Sequence, residues 1–203
     1  MALALFDFDG TLTTRDTYRP FLRFAVPPSR MAVGGLALSP LLVGHQLGLV
    51  SSAQVRPWLS WAGFVGVPAA HVRALGERYA ADVLPGVIDA AMLSRLENHL
   101  RLGDTVVVVS AGLDCYLRPW CRAHGVALVC TELEEQGGEL TGRYRRGDCS
   151  GANKVAFVRA DVELSRFGEI AAYGDTDEDL AMLALAQRRF FRGVELSDVH
   201  KAG

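Results

Sequence analysis

Residues 2–13 read ALALFDFDGTLT, a run that is apolar on both alternating faces through Phe8 except for Asp7, followed at once by Asp9, Gly10 and Thr11. A stretch apolar on both sides suits a central parallel strand covered on each face rather than an amphipathic edge strand. Asp7 and Asp9 then stand where that strand ends, and Gly10 lets the chain turn sharply and bring backbone N–H groups close to an anion. Far along the chain, residues 170–183 read IAAYGDTDEDLAML, where a second apolar run delivers Asp175 and, four residues later, Asp179. Ligands of open α/β sheets bind beyond the carboxyl ends of the strands, so the two acidic pieces are expected to converge on one crevice.

Strand-end carboxylates of this number make a hard oxygen site. Mg²⁺ is the expected occupant, because it binds through one or two carboxylates while keeping waters and a phosphate oxygen. Two further pieces match phosphate chemistry. DTVVVVSAG, residues 104–112, predicts a β-branched strand over 105–109 ending in Ser110 and Gly112, whose hydroxyl and adjacent N–H groups can hold a phosphoryl oxygen. Lys154, in SGANKVAFVRA, falls near the start of an expected helix, where a positive charge opposes the dipole unless something negative lies nearby. A phosphate or the Asp7 carboxylate would supply that charge.

At 203 residues, 50% hydrophobic and 22% charged, the chain has the composition of a globular protein with one good α/β core and a modest second unit. Its formal charge of −2 gives no basic footprint for nucleic acid. Cys115, Cys121, Cys130 and Cys149 form no CxxC pair, and no His stands at a zinc-finger spacing, so free thiols in a reducing cytosol are expected. Asp7 and Asp9 interrupt the first apolar run before a secretory h-region could form, which again points to the cytoplasm.

Taken in order, Asp7-Phe8-Asp9-Gly10-Thr11, Ser110, Lys154 and Gly174-Asp175 with Asp179 resemble the four motifs of the haloacid dehalogenase superfamily of aspartate-nucleophile phosphatases. Within it they are most similar to the phosphoserine-phosphatase-like subfamily (IB). The resemblance implies an α/β fold: a Rossmann-like parallel sheet core with an inserted α-helical cap and a β-hairpin flap. It implies a Mg²⁺-dependent phosphomonoester hydrolase acting on a small-molecule phosphate ester. Asp7 would be the nucleophile, Asp9 the general acid and base, and Ser110 and Lys154 the stabilisers of the phosphate and the intermediate. Thr11 and Gly112 would contact substrate, and Asp7, Asp9, Asp175 and Asp179 would serve the metal. Asp16 occupies the place where phosphoserine phosphatases carry a Glu that meets the substrate amino group, and Gly10 stands where they usually carry Ser. Both departures imply an altered specificity. Asp16 also suits an N-cap for the first cap helix.

The pattern turns helical after the first motif and stays so until Pro85-Gly86. We therefore assign residues 1–15 and 85–203 to the core and 16–84 to the cap. Residues 87–103 predict a helix stopped by Gly103, 113–124 a further helix, and 127–130 a third strand. Residues 131–145 predict a hairpin turning at Gly137-Gly138, and 190–194 a last short strand. From Met31 to Val55 there is no Asp, Glu, Lys or Arg, while Arg15, Arg19, Arg23, Arg30 and Arg56 flank the stretch. A single membrane crossing would separate the two halves of the site, so two packed cap helices are the first expectation for residues 31–55. A surface-lying segment in peripheral contact with the inner membrane face is the second. The segment also resembles the cap of C-type phosphatidylglycerophosphatases, which makes a lipid phosphatase the alternative function. A non-catalytic phosphate-ligand binding protein is the alternative of another class, against which the second carboxylate, Asp9, argues.

Overall fold

The computed structural model describes residues 1–196, so that the final part of the expected core, 197–203, lies outside the described residues. Along the chain the strands are β1 (Leu3–Phe6), β2 (Thr105–Leu113), β3 (Ala127–Thr131), β4 (Leu133–Gln136), β5 (Glu139–Tyr144), β6 (Ile170–Gly174), β7 (Arg188–Phe191) and β8 (Val194–Glu195). Six of them form one sheet in the order β3-β2-β1-β6-β7-β8, parallel except for the antiparallel edge strand β8. The carboxyl ends of β1 and β6 are therefore adjacent, Phe6 pairing with Tyr173.

β1 shows why its sequence is apolar on every residue. Ala4 and Phe6 enter one core cluster and Leu3 and Leu5 the other, on opposite faces of the sheet. β2 repeats the division, with Val106 and Val108 on one side and Val107 and Val109 on the other. Each fully buried Leu, Val or Phe contributes about 1.5–3 kcal/mol, so a one-residue slip would cost both faces at once. The register is visible in an aromatic column: Phe6, Tyr173 and Phe190 stack across β1, β6 and β7 at centroid separations of 4.2 and 4.5 Å.

Five helices fill residues 18–82: α1 (Tyr18–Ala25), α2 (Pro28–Ala37), α3 (Ser39–Gln46), α4 (Ser52–Phe64) and α5 (Ala69–Asp82). The others are α6 (Ala90–Arg101), capped by Asp89 on the Met92 N–H at 3.0 Å, then α7 (Asp114–His124), α8 (Ala152–Asp161) and α9 (Leu180–Leu183). No helix of the described residues is long and apolar enough to cross a membrane, and residues 31–55 are instead folded into α2, α3 and the start of α4. α5 and α7 meet backbone to backbone, since a Cβ on Gly76 would lie 2.1 Å from the Cys115 carbonyl oxygen. The β4–β5 hairpin turns at Gly137-Gly138 as its sequence predicts and lies against α4, with Gly142 close to the Trp61 backbone. All four cysteines are buried thiols.

Three local expectations change. The first strand ends at Phe6 rather than Phe8, although its ladder reaches one residue further through the Asp7 N–H to the Tyr173 carbonyl at 2.9 Å. β2 continues to Leu113, so Ser110 sits inside the strand. It marks the place where the pairing with β3 shifts register, between Ser110 and Leu113, and a bulge there re-aims side chains much as a strand end would. The single last strand expected over 190–194 is two strands, because Arg192 and Gly193 both have positive φ (51° and 77°) and turn the chain back on itself as a two-residue hairpin.

Candidate active site

The ends of β1 and β6 bring Asp7 and the Asp175–Asp179 turn together, as expected from their sequence positions. One oxygen each of Asp7, Asp175 and Asp179 lies within 4.8 Å of the others. Gly10, at φ 84°, passes so close that a Cβ there would sit 2.3 Å from the Asp175 carboxylate, and the missing side chain leaves that oxygen uncovered. Thr11 donates its hydroxyl to Asp175 Oδ1 at 3.2 Å and steadies it from the same turn. Hard oxygens this close repel one another, and a small divalent cation such as Mg²⁺ suits them by charge and donor type.

Lys154, buried on α8, reaches this cluster and donates to Asp7 Oδ1 and Asp179 Oδ1, both at 2.5 Å. The other oxygen of Asp179 accepts from the Asp175 N–H (3.1 Å), the Thr176 N–H (3.0 Å) and the Thr176 hydroxyl (3.1 Å). Asp179 is thus engaged on both sides and holds Lys154 in place. Burial alone would raise the Asp179 carboxyl, but Lys154 and the two amides hold it below its ordinary value. Burial lowers the Lys154 ammonium, and the two carboxylates more than reverse this, so it stays charged. Burial, opposed by Lys154, pushes Asp7 up to about 8. Asp175 is raised too, chiefly by burial and then by Asp179.

Asp9 lines the same cavity as this cluster but has a different partner. Its Oδ1 accepts from the Thr17 N–H at 2.8 Å and the Thr17 hydroxyl at 2.5 Å, while the close carboxylate cluster consists of Asp7, Asp175 and Asp179. Burial, opposed by Thr17, pushes it up to about 7. Two carboxylates separated by one residue therefore have different partners, a condition for giving them different tasks.

A cavity of about 710 Å³ opens over this floor, reached by Asp7, Asp9, Ser110, Lys154 and Asp175 and walled by Asp16, Tyr18, Ser52 and Arg56. The Ser110 hydroxyl oxygen accepts the Gly112 N–H at 2.9 Å within the irregular end of β2, which keeps the hydroxyl at the floor. Asp16 accepts from the Tyr18 and Arg19 N–H groups at the start of α1, at 3.3 and 3.2 Å, and it also lines the cavity.

Three participants carried no local sequence signal. Arg56 on α4 pairs with Asp148 through two bonds of 2.8 and 2.9 Å and with Glu178 at 3.0 Å, closing one wall. These partners lie 92 and 122 residues away in sequence. Thr17, the partner of Asp9, reads in the sequence as a helix-start threonine and nothing more. Arg192, on the strained turn before β8, donates to the Asp175 carbonyl at 2.9 Å.

The sequence model of the haloacid dehalogenase-like hydrolases matches residues 4–184. Protein CicA of Caulobacter vibrioides is 31% identical over 204 residues, covering 94% of this chain and 87% of that protein. Among solved structures, a Bordetella pertussis Tohama I protein of unknown function superposes with a TM-score of 0.72 at 24% identity, covering 93% of this chain and 88% of that one. A probable phosphoserine phosphatase from Vibrio cholerae superposes with a TM-score of 0.66 at 16% identity, covering 94% of this chain and 55% of that one. Both likenesses are of fold.

Proposed function

We propose, on the premise that this chain belongs to the haloacid dehalogenase-like hydrolase family, that it is a phosphatase cleaving phosphomonoesters of small polar compounds through an aspartyl phosphate on Asp7. The observation that carries the reading is the division of carboxylates: Asp7 against the buried ammonium of Lys154, Asp9 held apart by Thr17.

Phosphoryl transfer asks for an in-line nucleophile and neutralised phosphoryl oxygens more than for elaborate covalent chemistry. In this reading a carboxylate oxygen of Asp7 attacks phosphorus while the ester oxygen departs as the alcohol, taking its proton from Asp9. Asp9 then accepts a proton from water, whose oxygen attacks phosphorus and releases phosphate and free Asp7. A carboxyl pushed up to about 7 is well placed to donate and accept near neutral pH. Asp7 must be ionised to attack, and Lys154 opposes the burial that raises it. Asp7 and Asp175, with Asp179 behind them, are the residues that would hold Mg²⁺, which when bound supplies charge neutralisation for the phosphoryl oxygens and favours ionised Asp7. Ser110, whose hydroxyl oxygen is fixed by the Gly112 N–H, would supply a further contact to the phosphate, and Gly112 acts only through it. Residues 16–84 act as the cap, with Asp16 and Arg56 offering charges of both signs to the leaving group.

Turnover of an aryl phosphate by the purified protein, with and without Mg²⁺, tests the reading. Asp7→Asn should be inactive while unfolding like the wild type, and activity retained in that variant would overturn the mechanism.

A further inference from the structure

The pair α2–α3 and the outer side of α4 are built inside out. Where α2 meets α4 the contact residues are small, a Cβ on Gly34 touching the Ala62 Cβ at 3.0 Å, and Gly44 of α3 leaves room for Val50 of the turn that follows, which a Cβ there would touch at 3.0 Å. The large apolar side chains lie outside instead. Leu36 and Leu49 are 79% and 78% exposed, and Val43, Leu47, Trp58 and Trp61 are exposed as well. Neither α2 nor α3 has a single buried residue. A helix facing water ordinarily carries charge on its outer side, and a helix with apolar bulk ordinarily buries it. These helices do neither, since from Met31 to Val55 no charged residue occurs.

Charge selects the occupant. Residues 15–56 contain five arginines and one aspartate; Arg56 is neutralised by Asp148 and Glu178, and the other four arginines against Asp16 leave a net of +3 in a chain whose total is −2. Arg15, Arg19 and Arg23 are exposed at the edge of the apolar segment, and Arg19 is tied to it by a 2.8 Å bond to His45 of α3. A second copy of this chain would bring like charge against like. An anionic bilayer matches both properties at once, apolar side chains entering the acyl boundary and arginines meeting the headgroups. Small residues between helices and large ones outside are also the arrangement favoured where the surroundings are lipid.

We propose that α2, α3 and the Trp58–Trp61 side of α4 form a docking surface for anionic lipid bilayers. α4 joins that surface to the site, because Ser52 and Arg56 on the same helix wall the cavity. Docking at this surface would therefore bring the cavity mouth close to the headgroup layer. The inference concerns binding and stands independently of the phosphatase reading.

Flotation with vesicles of phosphatidylglycerol and phosphatidylcholine tests it, against vesicles of phosphatidylcholine alone and at high salt. The wild type should float with the anionic vesicles, about tenfold less with uncharged ones, and lose most binding in high salt. Emission of the exposed Trp58 and Trp61 should shift to the blue on binding, while Trp120 is already buried. A triple variant, Leu36→Asp, Leu47→Asp and Leu49→Asp, touches no cavity residue and should keep its unfolding transition yet stay unbound. Failure of the wild type to float, or flotation of the triple variant equal to wild type, would overturn the proposal. So would a wild-type dimer in solution that the triple variant loses while neither protein binds vesicles, which would assign the face to a second copy. Binding by a protein inert towards every phosphomonoester would support docking and remove the phosphatase reading instead.

Discussion

Lys154 and Asp7 stand 147 residues apart in sequence and 2.5 Å apart in space, a buried contact that joins the N-terminal strand to the start of α8. Removing the ammonium leaves Asp7 and Asp179 buried with no cation between them. Lys154→Met should destabilise the protein by about 3–5 kcal/mol, since an uncompensated buried charge is costly. Denaturant unfolding measures this, and a loss under about 1 kcal/mol would mean that the pair contributes little to folding.

Asp9 should matter most when the leaving alcohol is poor. Asp9→Asn is expected to slow hydrolysis of an alkyl phosphate by roughly 10² to 10⁴-fold, the usual worth of a positioned acid–base group. An activated aryl phosphate leaves without needing a proton, so its loss should be clearly smaller. Equal losses on the two substrates would remove Asp9 from the role of proton donor.

Asp7 and Asp9 tie the metal-free protein's stability to pH. Burial raises their folded-state values from 3.8 to about 8 and about 7. A carboxyl that holds its proton more tightly folded than unfolded stabilises fully below its unfolded pKa and loses that contribution as pH rises through the folded one. In EDTA the melting temperature should therefore fall between about pH 4 and about pH 8. Mg²⁺ should recover more of it at the upper end, where the carboxylates it binds are ionised. A metal-free melting temperature that climbs across this range would contradict the assignment.

Gly10→Ala tests the cradle beside Asp175. The backbone there has φ 84°, and the new Cβ would fall 2.3 Å from the carboxylate oxygen. The substitution should cost about 1–2 kcal/mol from the left-handed conformation. It should also weaken Mg²⁺ binding roughly 10 to 100-fold by displacing Asp175. Calorimetric titration with Mg²⁺ gives the second quantity, and unchanged affinity would show that Asp175 is not part of the metal set.

Much of this was legible before any coordinates. β1, β2 and β6 announce themselves because a strand buried on both faces must be largely apolar, and the carboxyl ends of β1 and β6 locate Asp7 and Asp175, whereas Ser110 lies inside β2 at its register shift. The Gly137-Gly138 turn is equally local. What stayed hidden depends on distant pairing. Arg56 looks like one arginine among several until Asp148 and Glu178 arrive from the far half of the chain. The last hairpin was hidden for a different reason: Arg192 adopts a positive φ that side-chain chemistry disfavours, so no turn-forming pair marks it. Composition showed that residues 31–55 lack charge, but not that their bulk faces outward.

The close approach of Gly76 to Cys115 ties the helices over residues 18–82 to the core. α5 is seated on α7 with no room for even a methyl group, and α4 is seated on β5 at Gly142. Swinging the helices between residues 18 and 82 as one lid would drag α7 or the hairpin with it. The wall is closed on this side by the Arg56 side chain, held by three hydrogen bonds to Asp148 and Glu178. On the proposed reading, admission of substrate would then ask for side-chain rearrangement, in roughly nanoseconds, rather than the roughly microsecond-to-millisecond closure of a hinged domain.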